Sequence, residues 1–259
     1  MLVAADDGCR LNVIPGPQGA VPMVLSNSLG TDHSLWDFQV AAFSRQRAVW
    51  RYDTRGHGDS DKPRGDYSID RLGKDLVSII DAIGAGPVDL CGVSIGGMTA
   101  LWVALHAPDR VRRVVLANTA AQIGDAGMWS ARINTVRTDG PGALADATIA
   151  RWFTPEFRAV RPEVVARFHS TLAQSDADGY AGCCAALRDA DLRALASRVA
   201  CPALVVTGRH DPATPPAQGR WLSEQIPGAR LVELDAAHLA NVERSNEFNA
   251  AVLNFTIGK

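Results

Sequence analysis

No run of apolar residues in the 259-residue chain approaches the length of a membrane span. The first seven residues, Met1 to Asp7, lack the basic start and long apolar core of a secretory leader, so the protein is expected in the cytoplasm. Strong charge of either sign is also missing. The net charge is -2 with 21% charged and 47% hydrophobic residues, which excludes wholesale disorder and gives no basic surface for nucleic acid. The five cysteines (Cys9, Cys91, Cys183, Cys184, Cys201) are an odd set without regular spacing, and no Cys/His grouping has the spacing of zinc ligands. They read as small buried hydrophobes, and no metal site is expected. Repeats and low-complexity segments are absent too. What remains is a chain long enough to bury one sizeable core, with a small molecule as its expected ligand.

The residues present are organised around Val88 to Met98. A short apolar run delivers Gly92-Val93-Ser94-Ile95-Gly96, after which a helical pattern runs to about His106. Strand, sharp turn, helix is the context of a G-x-S-x-G nucleophile elbow, where a strained turn holds the serine hydroxyl clear of a sheet. Taken alone the pentapeptide is equally a Gly-rich turn with an incidental serine. The rest of the chain decides between them.

Residues 1 to 15 alternate weakly around Asp7-Gly8, the pattern of a hairpin at a sheet edge. Val21 to Ser26 and Ala48 to Tyr52 read as strands, each followed by a loop of small or charged residues. Ile69, Leu72, Leu76, Ile79, Ile80 and Ile83 then recur at helical spacing behind Ser68, a capping residue. Val111 to Ala117 forms a further strand. From Ala120 to Val199 the periods are helical, broken at Gly140-Pro141-Gly142 and Thr154-Pro155. Strands resume at Pro202 to Thr207 and Ala229 to Leu234, with helices centred on Leu222 and on Val252 to Phe255. This alternation predicts an α/β fold with a mostly parallel sheet covered by helices on both faces. Residues 1–119 and 200–259 would form the core and 120–199 a helical insertion.

A serine nucleophile needs a base, and the base an orienting carboxylate. Asp211 lies in the loop directly after the Ala203 to Thr207 strand, and His238 just after the Leu231 to Leu234 strand. Ser94, Asp211 and His238 thus each stand past the C-terminal end of a strand, where α/β sheets place their ligands. Other candidates are weaker: His210 reads as a loop residue, His33, His106 and His169 have no strand-end context, and Asp235 sits too near His238 in the chain. After the Val111 to Val115 strand stands Asn118, an amide and not a carboxylate.

The order serine, acid, histidine, the Asp53-x-Arg55-Gly56-x-Gly58-x-Ser60 turn, and the Val24-Leu25 strand with its loop and Trp36 together resemble the α/β-hydrolases that carry a helical cap. The resemblance covers nearly the whole chain. It implies a triad of Ser94, His238 and Asp211, an oxyanion hole from the amides of Leu29 and Ile95, a structural role for His57, and no metal or organic cofactor. Within that family, Ser26-Asn27-Ser28-Leu29-Gly30, the elbow, and the segment Cys184-Ala185-Ala186-Leu187-Arg188-Asp189 are similar to the 3-oxoadipate enol-lactonases.

That similarity implies hydrolysis of an enol-lactone ring through an acyl-enzyme in the breakdown of aromatic compounds. The partner is then a small lactone or ester bearing a carboxylate, with neither nucleic acid nor membrane involved. Because a buried anion is costly without a partner, an arginine of the helical insertion is expected to meet it, and Arg132, three residues beyond Trp129 on one helical face, is the first choice. Trp129, Trp152 and Asn27 complete the expected substrate contacts. The alternatives are a capped carboxylesterase, a hydrolase of carbon-carbon bonds in ring-cleavage products, and a ligand receptor that turns nothing over. Dehalogenases of this fold are excluded, since their nucleophile is aspartate.

Overall fold

The structure, a computed structural model, describes residues 1–16, 21–84 and 86–258. Its eight strands form one sheet in the order β1-β2-β4-β3-β5-β6-β7-β8. β1 (Leu2–Ala4) and β2 (Arg10–Ile14) make the expected hairpin at one edge, turned by Gly8 at φ 85°. β2 runs antiparallel to β4 (Ala48–Tyr52), and from β4 onward every pairing is parallel. β3 (Pro22–Ser26), β5 (Val88–Val93) and β7 (Ala203–Gly208) are buried along their whole length, as strands covered on both faces must be. β6 (Val111–Ala117) and β8 (Arg230–Leu234) lie on either side of β7.

Helices follow the strands in the order the periodicity predicts. α1 (Asp37–Phe43) packs beside the C-terminal helix, while α2 (Ile69–Ile83) and α3 (Ile95–His106) lie against each other. In α2 the residues at helical spacing, Ile69, Leu72, Leu76, Ile79 and Ile80, are buried. Ser68 Oγ accepts the Arg71 amide at 3.0 Å to cap the helix, which stops at Gly84 in the left-handed conformation, φ 66°.

Between β6 and β7 the described chain carries helices and no strand: α4 (Ala126–Asp139), α5 (Ala145–Trp152), α6 (Pro155–Val160), α7 (Pro162–Ala173) and α8 (Ala177–Asp189). Breaks fall where the sequence placed them, with Gly140 at φ 79° ending α4 and Pro155 starting α6. α9 (Pro216–Gln225), α10 (Ala240–Glu243) and α11 (Ser245–Ile257) complete the chain. Cys9, Cys91, Cys183 and Cys184 are buried, whereas Cys201 is only half-buried. Among the described residues no helix is long and apolar enough to cross a membrane.

Candidate active site

Ser94 sits between the end of β5 and the start of α3 with φ 59° and ψ -123°, a conformation that L-residues avoid and that costs of order 1–3 kcal/mol. The surroundings hold it there. Ser94 N donates to Ala117 O at 3.0 Å, while its carbonyl accepts Met98 N at 3.0 Å and Thr119 Oγ1 at 2.7 Å. The elbow also presses its backbone against β3. A Cβ at Gly96 would run into the carbonyl oxygens of Ser26 and Asn27, which are backbone and have nowhere to go. Gly96→Ala is therefore expected to destabilise the fold by about 2–3 kcal/mol, seen as a lower midpoint in urea unfolding. A midpoint unchanged from wild type would mean that strand and helix are free to separate there.

Asp211 lies in the loop after β7 and His238 in the loop after β8. His238 Nδ1 meets Asp211 Oδ2 at 2.8 Å, and both side chains are almost wholly buried. The carboxylate is saturated with donors. Oδ1 accepts the amides of Ala213 and Thr214 at 2.8 and 3.0 Å; Oδ2 also accepts Thr214 Oγ1 at 2.7 Å and Asn118 Nδ2 at 2.9 Å. Burial by itself would raise the Asp211 pKa, but the nearby His238 together with the Thr214 and Asn118 donors holds it below the usual carboxylate value. An ionised Asp211 fixes the ring proton on Nδ1 and leaves Nε2 free to accept.

Ser94 and His238 both line a cavity of about 340 Å³ between the strand ends and helices α4, α5 and α8. No hydrogen bond joins the Ser94 hydroxyl to His238; such contacts often tighten only when substrate is bound. Leu29 belongs to the same wall. Its amide and that of Ile95 have no protein acceptor among the described residues, so both are free to donate. The loop that carries Leu29 is braced from below. Gly30 N donates to His57 Nε2 at 3.0 Å, and His57 Nδ1 faces Arg55 O at 3.4 Å, which assigns the ring proton to Nδ1. Burial pushes the His57 pKa down, so the ring stays neutral and keeps its acceptor.

The expected substrate contacts divide. Trp129, Arg132 and Trp152 line the cavity. Asn27 does not: it is fully buried, its Oδ1 accepting Trp36 Nε1 at 2.9 Å and its Nδ2 donating to Tyr52 O at 2.6 Å. Each end of the amide holds the loop, and the fully buried side chain lies outside the cavity lining. His210 and Asp235 pair with each other at 2.7 Å on the exposed side of the loop, beside a hollow of about 400 Å³ that contains none of Ser94, Asp211 and His238.

Three residues at the site were not assigned from the sequence. Asn118, noted there only as a missing carboxylate, holds Asp211 by its amide and reaches Ala237 O at 3.2 Å. Thr214 closes an Asx-type turn on Asp211, for which Asp211-Pro212-Ala213-Thr214 was a legible signal. Arg151 enters the cavity beside Arg132, with no local signal to separate it from the other arginines of this segment. Among the described residues no three His, Cys, Asp or Glu side chains gather as a metal site.

A strained serine, an ionised acid and a buried histidine past the ends of β5, β7 and β8 define the architecture of an α/β-hydrolase, and the chain belongs to that family. The family model described as alpha/beta hydrolase fold matches residues 21–245. The chain is 45% identical over 230 residues to 3-oxoadipate enol-lactonase 2 of Acinetobacter baylyi, covering 89% of this chain and 86% of that one. It is 36% identical over 249 residues to 3-oxoadipate enol-lactonase 1 of the same organism, covering 96% and 93%. Among solved structures, the enol-lactonase from Burkholderia xenovorans LB400 superposes with a TM-score of 0.97 at 44% identity, over 99% of this chain and all of that one.

Proposed function

We propose that the protein hydrolyses 3-oxoadipate enol-lactone to 3-oxoadipate, with Ser94 as nucleophile, His238 as general base and Asp211 as the group that orients it. Residues 120–199 act as a cap on a core of 1–119 and 200–259. The observation that carries this reading is the make-up of one cavity: Ser94 and the Asp211-oriented His238 share it with two arginines, Arg132 and Arg151, and no acidic residue lines it among those described. Acyl-transfer groups in a cationic chamber suit an ester whose other end is a carboxylate. The likeness to named enol-lactonases supplies the particular ring.

In the first half-reaction His238 Nε2 takes the proton of Ser94 as Oγ attacks the lactone carbonyl carbon. The oxyanion is held by the amides of Leu29 and Ile95. Collapse breaks the ring carbon-oxygen bond, and the departing enolate takes up the proton held on His238 and becomes the ketone. A water molecule then gives a proton to His238 and attacks the Ser94 ester; His238 returns that proton to Ser94 Oγ as the carbon-oxygen bond breaks, and the acid released ionises to the second carboxylate. Arg132 meets the carboxylate already present in the substrate, with Trp129 and Trp152 as apolar walls.

The test is the loss of ultraviolet absorbance of the enol-lactone on addition of the protein, with a simple aryl ester run alongside. The lactone is expected to turn over much faster than the ester. Ester cleavage with the lactone untouched would leave a hydrolase and overturn its substrate.

A further inference from the structure

Three helices bring polar groups to the roof of the cavity. Arg132 from α4 donates from Nε to the Tyr180 hydroxyl at 2.9 Å and from Nη2 to the same oxygen at 2.5 Å; Nη2 also reaches Thr148 Oγ1 at 2.7 Å. Arg151, one turn beyond Thr148 on α5, donates from Nη2 to that hydroxyl at 3.2 Å. A hydroxyl has one proton to give and two places to accept. Both acceptor positions of Tyr180 are occupied by Arg132, and those of Thr148 are shared by the two guanidinium groups. Each hydroxyl must therefore point its own proton elsewhere. Among the described residues neither proton finds a protein acceptor, although Thr148 is 3% and Tyr180 1% exposed. A buried donor left empty is costly, and the cavity is open beside both.

The charges point the same way. Arg137, Arg161 and Arg167, from the same stretch of chain, pair with Asp66, Glu163 and Asp37, whereas Arg132 and Arg151 have no carboxylate partner among the described residues. Two like charges held against one neutral oxygen are uncompensated until an anion arrives.

We propose that Thr148, Tyr180 and Arg151 join Arg132 in a carboxylate subsite in which the two hydroxyls, turned outward by their guanidinium partners, are donors to the ligand. The inference rests on the reading that this cavity binds the lactone, and it names the residues that select a carboxylate-bearing substrate over a neutral one. Burial pushes the Tyr180 phenol up to about 12, so it keeps the proton it would donate. The same turn of α5 also braces the general base. Leu239 N donates to Trp152 O at 3.0 Å and His238 N to Arg151 O at 3.4 Å, which ties the subsite to the catalytic loop by backbone alone.

The experiment is calorimetric titration of the full chain with adipate, and with 1,6-hexanediol as a neutral molecule of the same length. Adipate is expected to bind at least about twentyfold more tightly than the diol, and Thr148→Val and Tyr180→Phe each to weaken it about tenfold, as loss of a hydrogen bond to a charged group should. Arg151→Gln should weaken it more, while Thr148→Ser, which keeps the hydroxyl, should stay within about twofold of wild type. Equal affinity for acid and diol, an unchanged affinity in Thr148→Val, or a Thr148→Ser protein as weak as Thr148→Val would each overturn the subsite. If the expected shifts occur in a protein that leaves the lactone intact, the subsite stands and only the lactonase reading fails. Lactone turnover with adipate affinity indifferent to Thr148 and Tyr180 gives the converse.

Discussion

Ser94→Ala is expected to lower kcat/KM for the lactone by about five to six orders of magnitude while leaving the fold in place. In the proposed mechanism the hydroxyl is the atom that forms the covalent bond, so nothing else in the cavity can replace it. The free amides of Leu29 and Ile95 survive the substitution, and a small residual rate over water should survive with them. Structure should be spared, because the Ser94 side chain makes no capping bond to α3 and the strained φ of 59° is held by backbone contacts that alanine retains. Rates measured beside thermal unfolding check both halves of this. A variant that keeps more than about a hundredth of wild-type activity would remove Ser94 from the role of nucleophile.

The second large effect is expected from Asp211→Asn, about four orders of magnitude in kcat, the scale on which a triad loses activity when its histidine is held in the wrong tautomer. The local hydrogen bonds decide which way the new amide turns. The Ala213 and Thr214 amides both point at Oδ1 and require an oxygen there. Those backbone amides cannot turn, whereas the Thr214 hydroxyl and the Asn118 amide at Oδ2 can rotate to accept, so the new amide nitrogen takes the place of Oδ2, facing His238 Nδ1. His238 must then accept at Nδ1 and carry its proton on Nε2, where the base has to be empty. Steady-state rates give the loss, and nitrogen NMR of the imidazole reports the tautomer directly. A tenfold loss with Nδ1 still protonated would show that orientation by Asp211 is dispensable.

The two substitutions differ in how well their basis could be read in advance. The order of Ser94, Asp211 and His238 was legible because each follows a run with strand periodicity, and the start of a turn after such a run is a local property of the chain. The cap of α2 by Ser68, the end of α4 at Gly140 and the start of α6 at Thr154-Pro155 were legible for the same reason. The shell around Asp211 was less so. Thr214 lies within reach of local reasoning, three residues on, but Asn118 is 93 residues away and reaches Asp211 only because β6 and β7 are neighbours in the sheet.

Asn27 shows where local reading misleads. A polar residue in the loop after β3 is well placed for a ligand, yet its amide is held between Trp36 and Tyr52, on segments that the sheet brings to either side of it. Arg151 shows the opposite error. It was one arginine among several in a helical stretch, and only the convergence of α4, α5 and α8 separates the two that face the cavity from the rest, of which Arg137, Arg161 and Arg167 pair with carboxylates outside it.

The sequence by itself determined the alternation of strands and helices, the strained elbow and the three strand ends on which the chemistry stands, because periodicity and turn residues act within a few positions of one another. Only the tertiary structure decided which polar side chains serve the site and which serve the scaffold. That choice depends on where residues distant in the chain hold each group: Asn27 is fixed among Trp36 and Tyr52 away from the cavity, whereas the hydroxyls of Thr148 and Tyr180 are held beside it with a proton still to give.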